Sequence, residues 1–187
     1  MFKIKIDKNM TKGKRVMFWL ICGMLFATAI AAILFLSGVL GGSKEMVVGK
    51  KIKAEDITEF YFTKGSSAFP PDFQRYKFYV EDGKRYFYHE TREGKTFPLT
   101  EEYITVHGTM ELTDEDWDTF IDYLAQGTVK ARDEDLGDGD DGPWLYLYWN
   151  GDKGKYQEFS FNSWGLEREF EQFCIELKEK QIGSSTE

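Results

Sequence analysis

The chain has 187 residues, 42% of them hydrophobic and 30% charged, with a formal net charge of −8 at neutral pH. That charge is unevenly divided: residues 1–15 hold six basic residues and one acid, and the remainder holds 18 basic residues against 31 acids, or −13. So acidic a body excludes nucleic acid and anionic lipid headgroups as its partners, because both are themselves polyanionic.

Residues 1–15 form a basic tail too short to fold alone. Residues 16–40 follow, 25 positions without a charge. A membrane-spanning helix needs roughly 20 apolar residues, so the run predicts a single transmembrane helix. Its length also exceeds the roughly 7–15 apolar residues of a cleaved signal peptide, which favours an uncleaved signal-anchor. Lys14 and Arg15 abut the run, which predicts a cytoplasmic N-terminus, an extracytoplasmic body and a place in the cell membrane. Gly23, Ala27 and Ala31 recur every fourth position, a small-residue stripe that lets a second helix approach. Of the two cysteines, Cys22 lies inside the predicted span and Cys174 in the outer body, so they cannot pair within one chain. A fold without a disulfide suits a bacterial envelope better than a small secreted animal module.

Residues 41–54 read as a linker. From 55 to 181 the pattern predicts one extracytoplasmic domain, with 182–187 as a disordered tail. Ile57–Thr63 is rich in strand formers. Arg75–Val80 and Lys84–Glu90 are aromatic strands joined through Asp82-Gly83, a hairpin signal because Gly adopts the positive φ of a type I′ turn at no steric cost. Tyr103–Leu112 reads as a fourth strand. Thr113 opens a helix as N-cap with Asp116 completing a capping box, and Trp117, Phe120, Ile121 and Leu124 share one helical face. Residues 130–142 read as an acidic loop. Trp144–Trp149 and Lys155–Asn162 form a second hairpin, and Leu166–Lys180 is an amphipathic closing helix. The order β-β-β-β-α-β-β-α predicts an α+β fold: the transmembrane helix, then one antiparallel sheet of about six strands with two helices on one face.

Four stretches of this domain carry a resemblance: Ile57-Thr-Glu-Phe60, the Asp82-Gly83 hairpin, Leu112-Thr-Asp-Glu115, and Asp141-Gly-Pro-Trp144-Leu-Tyr-Leu. With the closing helix they resemble an uncharacterised family of small anchored, lipoprotein-like envelope proteins of anaerobic Gram-positive bacteria. The resemblance implies an N-terminal anchor and one α+β domain. It implies no activity.

Candidate chemistry is sparse. His89 and His107 fall on neighbouring strands and read as solvent-facing, since a catalytic zinc wants three protein ligands and the spacing offers no third. Cys174 lies on an apolar helix face, where a thiol is inert packing. Asp138, Asp140 and Asp141 are the calcium candidates of the acidic loop. Counted from Asp138, however, Gly142 falls at the fifth place and Trp149 at the twelfth, against the EF-hand pattern. No metal or cofactor is assigned.

The strongest functional signal is aromatic. Alternation along 144–149 sends Leu145, Leu147 and Trp149 to one face and Trp144, Tyr146 and Tyr148 to the other, joined by Tyr156. Two helices cover only one face of a sheet, so this stripe is the candidate binding surface, unless the first strand, the Pro70-Pro71 loop or the linker covers it. The sequence therefore predicts a non-enzymatic, membrane-anchored protein whose outer domain binds a protein partner, as an accessory subunit or an immunity-type protector. A glycan-binding module using Trp144, Tyr146 and Tyr148 as stacking platforms is the alternative, and a wall hydrolase ranks last.

Overall fold

A computed structural model describes residues 12–36, 45–132, 142–152 and 156–184. The chain divides into two compact units, 1–43 and 44–187.

Among the described residues, the first unit contains one helix, α1 (Lys12–Leu36). Here the expectation of a single-pass span is corrected: among the described residues, no helix is long and apolar enough to cross a membrane. The uncharged run is counted along the sequence, whereas the described helix starts on the basic Lys12-Gly-Lys-Arg15 turn and stops at Leu36. Residues 37–40 lie outside the described residues. The cell-membrane location, the transmembrane topology and the extracytoplasmic placement all depended on that span and fall with it. Gly23 is exposed on α1, while the side chains of Ala27 and Ala31 lie outside the described set, so the small-residue stripe has no structural account.

The second unit is built on β1 (Ile57–Ser66), β2 (Asp72–Glu81), β3 (Lys84–Glu93), β4 (Ile104–Glu111), α2 (Asp114–Leu124), β5 (Gly127–Arg132), β6 (Trp144–Trp149), β7 (Tyr156–Phe161) and α3 (Trp164–Ser184). The strands form one antiparallel sheet in the order β4-β3-β2-β1-β6-β7-β5. The β2–β3 turn has φ of 50° at Asp82 and 76° at Gly83, the left-handed pair that type I′ requires. At the start of α2, the Thr113 hydroxyl accepts from the Asp116 amide, and the Asp116 carboxylate accepts from the Thr113 amide. This reciprocal pair satisfies two helix-end donors.

Among the described residues the sheet has seven strands, one more than the sequence pattern suggests. The extra strand is β5, within a stretch read as the end of a helix and the start of a loop. Its alternation, buried Gly127 and Val129 against Thr128 and Lys130, spans only six residues directly after a helix, and its partner β7 comes from far along the chain. Gly127 permits that pairing: a Cβ there would lie 2.1 Å from Cζ of Phe159. Residues 46–52, read as linker, also belong to the fold. Met46 exchanges two main-chain hydrogen bonds with Val129, at 2.9 and 2.7 Å, and Val48 and Ile52 are buried in the core.

Phenylalanine fills the space between sheet and helices. Phe60 and Phe62 of β1, Phe78 of β2, Phe87 of β3 and Phe159 of β7 meet Phe120 of α2 and Phe170 of α3, all essentially inaccessible. Phe78 and Phe120 stack at 4.1 Å, and Phe60 takes Phe120, Phe159 and Phe170 edge-on at 5.4–5.6 Å. Edge and offset geometries suit the ring quadrupole, and each pair adds about 0.5–1.5 kcal/mol beyond area burial. Both α2 and α3 therefore lie on one face of the sheet, and neither covers the other face.

Candidate functional site

Because strand side chains alternate, every phenylalanine turned towards the helices turns its neighbours to the opposite face. Register then aligns those neighbours across strands. One row runs Tyr86, Tyr79, Glu59, Tyr148. The next runs Thr109, Tyr88, Lys77, Tyr61, Tyr146, Glu158 and Lys130. One antiparallel step beyond the Tyr146–Glu158 pair brings Tyr156 beside Tyr148. The helix-free face is thus a lawn of tyrosines interleaved with charges, where the covered face is phenylalanine.

The tyrosines surround an open groove of about 430 Å³ lined by Glu59, Tyr61, Thr63, Arg75, Tyr146, Tyr148 and Tyr156. Tyr146, Tyr148 and Tyr156 are each half-buried. Tyr61 and Tyr148 meet edge to face at 6.3 Å. Burial, then Tyr146 and the carboxylates of Glu59 and Asp152, pushes the Tyr148 phenol up to about 12. Burial and a hydrogen bond to Glu59 push Tyr61 up as well. Both rings are therefore neutral hydroxyl donors at physiological pH. On one flank, the Lys77 ammonium pairs with Glu59 and lies 5.2 Å from the Tyr61 ring and 4.8 Å from the Tyr79 ring. A cation so placed over an aromatic face gains about 0.5–2 kcal/mol.

Beside the groove is a buried charge cluster. Glu90 and Arg92 are almost inaccessible. The Arg92 guanidinium donates to Oε1 of Glu90 through Nε at 3.0 Å and to the Leu99 carbonyl at 2.8 Å, and its Cζ lies 4.2 Å from the centre of the Phe73 ring. Tyr88 Oη donates to Glu90 Oε2 at 2.6 Å. Burial, then that bond, raises Tyr88 to about 12. Arg75 donates to Thr63 Oγ1 at 3.1 Å and approaches Glu90 to 3.8 Å. A carboxylate between two guanidiniums and a phenol has its charge compensated, which a buried ion requires. Alternation in β3 puts Tyr86, Tyr88, Glu90 and Arg92 on one face and Phe87 and His89 on the other, so the signal for this cluster is present in the sequence.

The predicted site residues do not stay together. Tyr146, Tyr148 and Tyr156 line the groove, but Trp144 does not. Trp144 lines a separate cavity of about 110 Å³ with Thr63, Phe73, Phe97, Pro98 and Leu99. The β3–β4 loop folds over that end of the face, held by the Arg92–Leu99 bond, and leaves Nε1 of Trp144 buried without a hydrogen-bond partner.

The other candidates resolve as follows. His89 is fully buried on the phenylalanine face rather than solvent-facing, with Nε2 3.1 Å from Oε1 of Gln181. His107 is opposite Glu90 in register, so the two histidines point to opposite faces. Cys174 is buried, and burial followed by the Glu171 charge drives its thiol well above the ordinary range, which disfavours the thiolate. Asp138, Asp140 and Asp141 lie outside the described residues. Among the described residues, no group of three or more His, Cys, Asp or Glu side chains is placed to hold a metal.

No family model, no curated protein and no solved structure matches the chain.

Proposed function

We propose that residues 44–187 form a non-enzymatic binding domain that docks a protein partner on the tyrosine face. One observation carries the reading: a wide groove lined by half-buried tyrosines on the face that neither α2 nor α3 covers. Tyrosine gives large, rigid contact area at low entropy cost and keeps a hydroxyl for orientation, which is why it is enriched in binding surfaces. The buried Cys174 thiol supports a non-catalytic role, because the reactive form is disfavoured there.

Glycan binding ranks below this. A stacking platform made of Trp144, Tyr146 and Tyr148 loses its largest ring to the cavity under the β3–β4 loop.

The test is a photo-crosslinking amino acid in place of Tyr156 in the full chain, expressed in its native cells. A discrete protein adduct is expected, abolished by Tyr146→Ala, with a melting temperature for that variant close to the parent's. An adduct indifferent to Tyr146→Ala would overturn the reading, and so would unfolding of the variant, which would make the ring structural.

A further inference from the structure

The sheet ends on two outer strands, and they differ. An outer strand presents a row of unpaired main-chain N–H and C=O groups, which a further strand can pair with unless something blocks it. Strand β5 is blocked: it has only six residues, it carries Lys130 and Arg132, and Met46 bonds both main-chain groups of Val129. Strand β4 lacks these devices. It runs eight residues, ITVHGTME, without proline, lysine or arginine. Among the described residues, no strand or isolated bridge pairs with its outer edge. Thr105, Val106, His107, Thr109 and Glu111 are exposed. A register shift falls at the Ile104 end and leaves 106–111 in regular pairing with β3. Hydrogen bonding fixes which groups face outwards. The Leu112 N–H donates to the Arg85 carbonyl at 2.8 Å, and bonded and unbonded residues alternate along an antiparallel pair. Gly108 and Met110 therefore bond towards β3, while the N–H and C=O groups of His107, Thr109 and Glu111 point to the open edge. The strand is already held in place for pairing, by β3 alongside it and by Gln181 of α3, which fills the space a Cβ at Gly108 would need.

We infer that β4 pairs antiparallel with β4 of a second copy of this chain, giving a two-fold dimer with one continuous sheet. The strand is complementary to itself about Gly108. In that register His107 lies opposite the second copy's Thr109, and the two exchange both outward main-chain bonds. The two-fold axis repeats the pair with Thr109 opposite the second copy's His107. Register with Thr91 and Phe87 puts Val106 and Met110 on the α3 side of the sheet, and these lie opposite each other across the seam. Apolar thus meets apolar on one face and polar meets polar on the other, the pairing that stabilises adjacent strands. Charge argues for a copy over a basic or acidic strand. Glu111 is the only acid or base among the aspartates, glutamates, lysines and arginines of β4, and it pairs with Lys84 at 2.8 Å. The seam is therefore close to neutral within an acidic body, and a like strand opposes no like charges there. A contact made by the same patch on both copies is closed, which ends assembly at the dimer.

The experiment uses the full chain, with sedimentation and amide exchange by NMR followed over a range of protein concentrations. A dimer is expected. The Gly108 and Met110 amides should exchange slowly throughout, whereas those of His107 and Thr109 should slow only as the dimer fills. Thr109→Pro removes an outward donor and spares the ladder to β3. It is expected to weaken the dimer by at least about tenfold, because the two-fold axis makes the loss count twice. His107→Lys sets a blocking charge on the edge and should act in the same direction. Circular dichroism checks that each variant is folded, and the amide pattern of the parent decides the question even if the proline variant is not. A monomer at every concentration would overturn the inference. So would a dimer whose His107 and Thr109 amides exchange fast or which ignores both variants, since the contact would then lie elsewhere. Slow exchange of those two amides at all concentrations would also overturn it, by showing that the chain covers its own edge. The Tyr156 crosslink decides the partner-binding reading independently of all these outcomes.

Discussion

At the scale of single residues, the two faces of the sheet handle polar groups in opposite ways. On the tyrosine face, the Glu90 charge is matched by Arg92 and Arg75. Arg92→Ala leaves a buried carboxylate with half its compensation, and removing one partner of such a pair costs about 3–5 kcal/mol. Replacing both, as Glu90→Leu with Arg92→Met, is expected to cost less than the single change, because no ion is left stranded. Urea denaturation of the three proteins checks that order. On the phenylalanine face, no carboxylate among the described residues pairs with His89. Burial lowers its pKa below 6.5, opposed by Gln181 and reinforced by Lys178 and His107. The unfolded chain therefore binds the proton more readily. Stability from the neutral ring is full above pH 6.5 and is lost as pH falls through the folded pKa. The urea midpoint is expected to drop between pH 7.5 and 5, and to drop less in His89→Leu.

At the scale of elements, the local signals at 82–83 and 113–116 state their structures outright, because turn and cap geometries depend on a few adjacent residues. Strand β5 is the opposite case. Only Gly127 and Val129 of its residues are buried, and what holds it is pairing on both sides, with β7 and with Met46. The glycine is required by closeness to Phe159 rather than by a turn. Gly127→Ala must displace that ring or part the strands, and overpacking of this kind costs about 1–3 kcal/mol. Amide exchange should show faster opening of β5 and of residue 46 than of β1 and β2. If β5 protection is unchanged, the close approach is not what positions the strand.

At the scale of the whole molecule, a sheet with phenylalanine on one side and tyrosine on the other separates the face that carries stability from the face proposed for recognition. Phe60 contacts rings from both helices and from β2 and β7. Phe60→Ala is expected to destabilise by about 3–5 kcal/mol through lost burial and a cavity. Tyr146→Ala, one register step away on the other face, leaves its ring's site open to water and is expected to cost far less. Thermal melts of the pair measure the asymmetry directly, and equal losses would mean that both faces are core.

The sequence by itself determined which residues share a face, since a strand's period of two and a helix's of 3.6 are properties of the backbone alone. It placed the hairpins, the cap on α2, and Tyr146, Tyr148 and Tyr156 together on one face. Tertiary structure decided what lies over each face. It turned Trp144 into a cavity beside a loop anchored by Arg92, buried His89 under the end of α3, drew Val48 and Ile52 into the core, and ended the described α1 at Leu36. The reason is physical: alternation orients a side chain, but whether it meets water or protein depends on chain segments far away in sequence, and no local pattern records where those segments return.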